Sequence, residues 1–143
     1  MYIKQISVFI ENTPGRLAEF THLLGKEQID LISLSIADTT SFGILRSLVA
    51  DYERAARIIA NAGYTVRVTD VLAASVPDEP GGLAKVLAIL SENGVSVEYL
   101  YSFIRNAGHN ALIILRVEEI DKAAALLEAH GVKTLSQDEV SAL

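Results

Sequence analysis

The sequence repeats itself, and this repeat constrains the fold more than any other feature. Two stretches with one pattern of apolar residues, beginning at Pro14-Gly15 and at Pro80-Gly81, stand 66 residues apart. In each copy the apolar residues recur at i, i+3 and i+7, which is one face of an α-helix. A second pair of helical patterns ends at Gly63 and at Gly131, now 68 residues apart. One structural unit is therefore used twice.

Strand patterns surround these helices in the same order in both copies. A β-type run precedes the first helix, two more runs separate the helices, and a last run follows the glycine that ends the second helix. In the first copy the runs are Ile3 to Ile10, Leu31 to Ala37, Gly43 to Ala50 and Tyr64 to Thr69. In the second copy they are Val71 to Val76, Val95 to Ile104, Ala111 to Val117 and Val132 to Ser136.

The βαββαβ order predicts an α+β protein of two tandem ferredoxin-like sandwiches with antiparallel sheets, docked side by side. We expect the first domain to span residues 1–69 and the second 70–143. A unit of about 70 residues is only marginally stable alone. No Gly/Ser/Pro linker separates the copies, because Val66 to Val76 is nearly continuous strand-forming sequence. Rigid docking would create a seam between the copies, and such interfaces are good places for ligands.

Composition argues against several classes of function. Acidic residues outnumber basic ones by 18 to 12, and the net charge of −6 opposes binding to nucleic acid. The absence of cysteine excludes disulfides and thiolate chemistry and is typical of a reduced compartment, so we expect a cytoplasmic protein. His22, His109 and His130 show no metal-ligand spacing, so no metal and no cofactor is expected. The N-terminal run is too short and polar for a signal peptide or a membrane span.

The most informative residues lie where the first strand leads into the first helix, at Glu11-Asn12-Thr13-Pro14-Gly15 and Asp78-Glu79-Pro80-Gly81-Gly82. Asn12 or Thr13 is predicted to cap the helix, with Pro14 at its first position. A ligand carboxylate could then approach the free amides of Gly15, Arg16 and Leu17 at the positive end of the helix dipole. Pro-Gly after a capping residue is also simply how many helices begin, and a duplication would copy a purely structural turn.

The segments Asn12 to Ala18 and Asp78 to Ala84, each followed by an apolar helix and by Gln28-Ile29-Asp30-Leu31 or Gly94-Val95-Ser96-Val97, resemble the ACT domain. This is a ferredoxin-like regulatory module that binds amino acids. The resemblance covers nearly the whole chain. It implies a ligand held between two units, with the turn of one unit and the start of the second strand of the other. The implied ligand-binding residues are Asn12, Thr13, Pro14, Gly15, Arg16, Leu17, Asp30, Asp78, Glu79, Pro80, Gly81, Gly82, Leu83 and Ser96.

Differences from the serine-binding members refine this picture. Those members have a histidine two places before the asparagine, whereas this chain has Ile10 and Val76, which favours an amino acid with an apolar or aromatic side chain. The carboxylate of Asp78 would repel an incoming carboxylate, so the first turn is the better receptor. In that pocket Gly15 takes the carboxylate, Asn12 binds it or the ammonium, and Ser96 closes from the other copy. In the mirrored pocket Asp78 and Asp30 could hold an ammonium, although two solvated carboxylates explain them equally well.

Three other features bear on function. Tyr99, Tyr101 and Phe103 alternate along one strand and could stack on a ligand, although packing, including packing against a second chain in a homodimer, explains them better. Arg46 and Arg116 fit a solvated face or an ion pair. The segment Arg105 to Asn110, predicted as a hairpin loop, is the best catalytic candidate of a chain without a catalytic motif.

The prediction is thus a non-catalytic amino-acid sensor that regulates a partner enzyme or its own oligomeric state. The alternatives are a small ferredoxin-like enzyme of amino-acid metabolism and a ligand-free assembly module.

Overall fold

The computed structural model describes residues 2–38, 41–103 and 110–143. Two compact units make up the chain: Lys4–Thr69, here called the first unit, and Asp70–Leu143 with the chain start up to Ile3, here called the second unit. The hairpin-loop candidate Arg105 to His109 lies outside the described residues, and Asn110 is the first residue of a strand.

The first unit contains a sheet in which β1 lies between β3 and β4, with β2 beyond β3. Both β1–β3 and β2–β3 are antiparallel, with Ile10 and Asp38 each opposite Gly43. One face of the sheet packs against the helices around Phe20, Leu24 and Ile59. The elements are β1 (Ile3–Glu11), α1 (Arg16–Lys26), β2 (Ser35–Asp38), β3 (Phe42–Ser47), α2 (Tyr52–Asn61) and β4 (Thr65–Pro77).

The second unit repeats this arrangement. Within it β6 lies between β4 and β5, and β7 pairs with β4 at Ala74 and Ser75. Its core is built on Leu72, Val86 and Leu127. The elements that follow β4 are α3 (Gly82–Glu92), β5 (Val97–Phe103), β6 (Asn110–Val117), α4 (Ile120–Ala129), β7 (Lys133–Thr134) and α5 (Gln137–Ser141). The predicted fold, two ferredoxin-like βαββαβ units with antiparallel sheets, is confirmed.

Several local predictions are also confirmed. Gly63 and Gly131 follow α2 and α4 in the left-handed conformation, with φ of 94° and 75°. Along β5 the aromatic residues are more buried than their alternating neighbours, and Phe103 is 8% exposed. Arg116 forms an ion pair with Glu98 at 3.3 Å. Val66 to Val76 lies within the single strand β4.

Three strand predictions were wrong in extent, and one of them, Gly43 to Ala50, ends already at Ser47. The run Leu31 to Ala37 becomes a strand only at Ser35, because the Leu48 amide donates to the Ser33 hydroxyl at 2.8 Å, in place of a regular ladder. The last strand, predicted over Val132 to Ser136, contains only Lys133 and Thr134. It gives way to α5, which the repeat did not predict. Ser136 and Glu139 form a capping box at its start, and the amide of Ser136 and the nearby Lys133 lower the pKa of Glu139.

Gly82, the first residue of α3, is required by a close backbone approach. A Cβ at this position would collide with the carbonyl oxygen of Pro77, a contact that only a backbone shift can relieve. Replacing a helical glycine by alanine ordinarily stabilises a protein by up to about 1 kcal/mol. We expect the opposite for Gly82→Ala, a loss of about 3 kcal/mol from overpacking.

Urea denaturation followed by circular dichroism measures this effect. Gly25→Ala in α1 is the matched control, since a Cβ there meets nothing within 4 Å and should stabilise the fold. A stabilised Gly82→Ala variant would contradict the close approach.

Candidate functional site

The turn between β1 and α1 is closed by its own backbone. The Thr13 amide donates to the Glu11 carbonyl at 2.9 Å, and the Arg16 amide donates to the Thr13 carbonyl at 3.3 Å. Gly15 is the N-cap residue, with φ of 85°, and no side chain caps the helix. The predictions that Asn12 or Thr13 caps α1 and that Pro14 is its first residue were therefore wrong. A left-handed residue was needed to close the turn, and only glycine adopts that conformation without strain.

A cavity of about 270 Å³ lies in the first unit beside this turn. It is bounded by the ends of β1 and β2, the start of β3 and the first turn of α1. Register explains how the strand residues meet, because Ile36 pairs with Leu45, and Gly43 lies opposite both Asp38 and Ile10. The lining residues are Ile10, Glu11, Asn12, Thr13, Leu17, Ile36, Asp38, Gly43 and Leu45.

Two polar side chains of the cavity lining contact each other. The Asn12 side-chain amide donates to the Asp38 carboxylate at 3.3 Å. Among the described residues no cation pairs with Asp38, so its negative charge is available to a ligand. The amides of Leu17 and Ala18 have no acceptor among the described residues, as is usual in the first turn of a helix. Asn12 and Asp38 therefore form a polar corner of the cavity, Leu17 brings the start of α1 to its lining, and Ile10, Ile36 and Leu45 supply apolar walls.

The side chain of Arg16 does not line this cavity. Its guanidinium stacks over the Tyr64 ring at 4.7 Å and reaches the carboxylates of Glu19 at 3.1 Å and Glu11 at 3.6 Å. Tyr64 in turn packs edge-on against Phe20, with ring centroids 5.2 Å apart. The guanidinium thus partly neutralises Glu11, which leaves Asp38 as the stronger attractor of a cation.

The structure therefore brings Asn12, Thr13 and Leu17 of the predicted site residues into one cavity. Pro14 and Gly15 form the exposed turn beside it, and the exposed Asp30 precedes β2, away from the end at which Asp38 lies.

The second unit has a similar turn between its first strand and its first helix. Gly81 is left-handed, with φ of 86°, and α3 begins at Gly82. Asp78, Glu79, Pro80 and Ser96 are exposed, and Leu83 packs against the core.

Sequence reasoning missed Ile36, Asp38, Gly43 and Leu45. Ile36 and Asp38 lie on one side of β2, and Gly43 and Leu45 lie on one side of β3. The alternation of side chains along a strand predicts both placements. Their approach to the turn depends on strand register, which the sequence did not supply. Residues 2–38, 41–103 and 110–143 contain no group of three or more His, Asp or Glu side chains suited to a metal ion. No helix in this described part is long and apolar enough to cross a membrane.

The whole chain, residues 1–143, matches the family model for an ACT domain pair. A crystal structure of protein BT0572 from Bacteroides thetaiotaomicron is 41% identical, covers 100% of this chain and 98% of its own, and has a TM-score of 0.93. The ligand-free regulatory subunit of aspartate kinase from Thermus thermophilus is 16% identical, with 88% and 91% covered and a TM-score of 0.64.

The corresponding subunit from Thermus flavus is 17% identical, with 90% and 89% covered and a TM-score of 0.61. These two similarities concern the fold. No functionally curated protein matches the sequence. The match over the whole chain and the two βαββαβ units together show that this protein belongs to the ACT-domain family as a pair of ACT domains.

Proposed function

We propose that this ACT-domain pair is a cytoplasmic, non-catalytic regulatory protein that binds a small amino acid with an apolar side chain. Family membership supports the regulatory role, since solved structures of similar fold are named as regulatory subunits. The observation that carries the proposal is the cavity of the first unit, which combines an anionic acceptor and apolar walls beside the start of α1, where the first-turn amides lack acceptors.

The cavity suggests how an amino acid would lie in it. The α-ammonium would pair with the Asp38 carboxylate, and Asn12 would hold that carboxylate in place. The α-carboxylate would accept from the amides of Leu17 and Ala18 at the positive end of α1. The side chain would contact Ile10, Ile36 and Leu45. A volume of about 270 Å³ suits a small ligand, since it lies below the range typical of drug-sized sites.

Regulation requires that the bound state be read by another molecule. We propose a partner enzyme or a second copy of this chain as the reader, with a homodimer as the expected assembly. A ligand that binds the two states of such an assembly unequally would shift the balance between them.

Substitutions at the polar corner test the site. We expect Asp38→Asn to weaken amino-acid binding about tenfold or more, because a charge-assisted contact contributes about 1.5 to 3 kcal/mol. Asn12→Ala should weaken binding by a smaller factor, since it removes only the group that orients Asp38. Thermal shift across the standard amino acids identifies the ligand, and calorimetry then gives the affinities of the variants.

The matched controls are Asn61→Ala and Glu92→Gln, exposed positions that should not change affinity. A wild-type protein that no amino acid stabilises would overturn the proposed function. Binding that is unchanged in Asp38→Asn would remove this cavity as the site.

A further inference from the structure

The two copies differ beside the first helix of each unit, in the helix layer. In the first unit the side chain of Arg16 fills this place. Its guanidinium lies over the Tyr64 ring and between the carboxylates of Glu11 and Glu19. The Arg16 Nε and the Tyr64 hydroxyl are buried there. The Arg16 cation is thus held by two carboxylates and one aromatic ring of the same unit.

In the second unit the corresponding positions either lack these groups or carry a group of opposite charge. By the sequence repeat, Gly82 stands where Arg16 does, Val132 replaces Tyr64, and Lys85 replaces Glu19. The guanidinium and the ring are therefore absent, and a carboxylate has become an ammonium. Glu11 corresponds to Pro77, so the second carboxylate is also lost.

A cavity of about 310 Å³ occupies this place in the second unit. Gly82 keeps it open, because a Cβ at that position would collide with the Pro77 carbonyl oxygen. No side chain can therefore grow from residue 82 to refill the space without moving the backbone. The lining residues are Ser75, Pro77, Gly82, Lys85, Val86, Ile89, His130, Gly131 and Val132.

The charge of this lining is positive. Lys85 and His130 are its titratable residues, it includes no acidic side chain, and no described acidic residue pairs with Lys85. The His130 Nδ1 donates to the Leu126 carbonyl at 2.8 Å, so Nε2 is the ring nitrogen left to contact a ligand. Val86, Ile89 and Val132 supply an apolar wall. The site therefore suits an anionic head with a short apolar tail.

We propose that this cavity of the second unit binds a small organic carboxylate with a short apolar chain. The Lys85 ammonium pairs with the carboxylate, His130 contributes a second polar contact, and the chain lies against Val86, Ile89 and Val132. This site is separate from the amino-acid cavity of the first unit and has the opposite charge, so a ligand without an ammonium group selects it.

Amide NMR with isovalerate as the probe tests the proposal, and uncharged isovaleramide is the matched ligand. We expect saturable shifts at Lys85, Gly131 and Val132 with isovalerate and at least about tenfold weaker binding of the amide. Lys85→Gln should weaken isovalerate binding by about the same factor. Val132→Tyr restores the bulk found in the first unit and should abolish binding.

Two further comparisons keep the outcomes distinct. Asp38→Asn, in the other cavity, should leave isovalerate binding unchanged, so failure of one site does not imply failure of the other. Circular dichroism checks whether Val132→Tyr is folded. If it is not, the change in isovalerate affinity of Lys85→Gln, a substitution at an exposed position, decides whether the site exists. Equal binding of the amide, shifts confined to other residues, or inorganic phosphate binding as tightly as isovalerate would each overturn the proposal.

Discussion

Replacing Gly43 by valine is expected to abolish amino-acid binding while the protein stays folded. Gly43 is a buried strand residue on the floor of the first unit's cavity, opposite both Ile10 and Asp38. A Cβ there would lie 3.2 Å from the Ile36 Cγ2 methyl, which must move by a few tenths of an ångström, and in ordinary contact with the carbonyl oxygens of Ile10 at 3.8 Å and Ala37 at 3.9 Å, so no backbone atom blocks a side chain. Valine also has a higher β-propensity than glycine. Its two methyl groups would occupy the ligand's space, and we expect affinity to fall by at least about 100-fold, or about 2.7 kcal/mol.

Calorimetry with the best-binding amino acid measures this loss. Gly25→Ala is the matched control, because it enlarges a glycine of α1 in open space and outside the cavity. That variant should keep wild-type affinity. Wild-type affinity in Gly43→Val would show that the ligand binds elsewhere.

Truncating Phe20 is expected to produce the largest loss of stability. Phe20 is fully buried in the core of the first unit and packs edge-on against Tyr64. Removal of a buried phenylalanine ring costs about 3 to 5 kcal/mol, because the apolar surface is lost and a void remains. Tyr64 would also lose the ring that orients it beneath the Arg16 guanidinium. This cost is a large part of the roughly 5 to 15 kcal/mol that keeps an ordinary domain folded.

Urea denaturation followed by far-UV circular dichroism suits the measurement, because the chain has no tryptophan. Leu34→Ala is the control, since Leu34 is 49% exposed and its removal should change stability by no more than about 0.5 kcal/mol. A loss below about 1.5 kcal/mol for Phe20→Ala would mean that the core of the first unit is not packed around this ring.

The fold was predictable because the sequence contains the pattern of one unit in two copies. The shifts of 66 and 68 residues aligned four helices, and the glycines that end α2 and α4 have the left-handed conformation that was expected. The element that the repeat does not share was missed. At five residues, α5 is too short for a helical period, and only the Ser136–Glu139 capping box signalled it.

The candidate site was predictable only in part. Asn12, Thr13 and Leu17 were found because a turn between a strand and a helix leaves a local signature. Asp38 and Gly43 come from two strands whose register brings them to that turn, and a register is set by packing over the whole sheet. The conformation of Gly15 also followed from closure of the turn rather than from capping by Asn12 or Thr13. The cavity residues of the turn could thus be predicted from the sequence, whereas those contributed by β2 and β3 could not.

Amide NMR of the wild-type protein, titrated with each standard amino acid in turn, decides whether the cavity of the first unit binds an amino acid. An amino acid with an apolar side chain should give saturable shifts at Asn12, Leu17 and Asp38, and Gly43→Val should remove them. Spectra that no amino acid changes at these three residues would contradict this prediction.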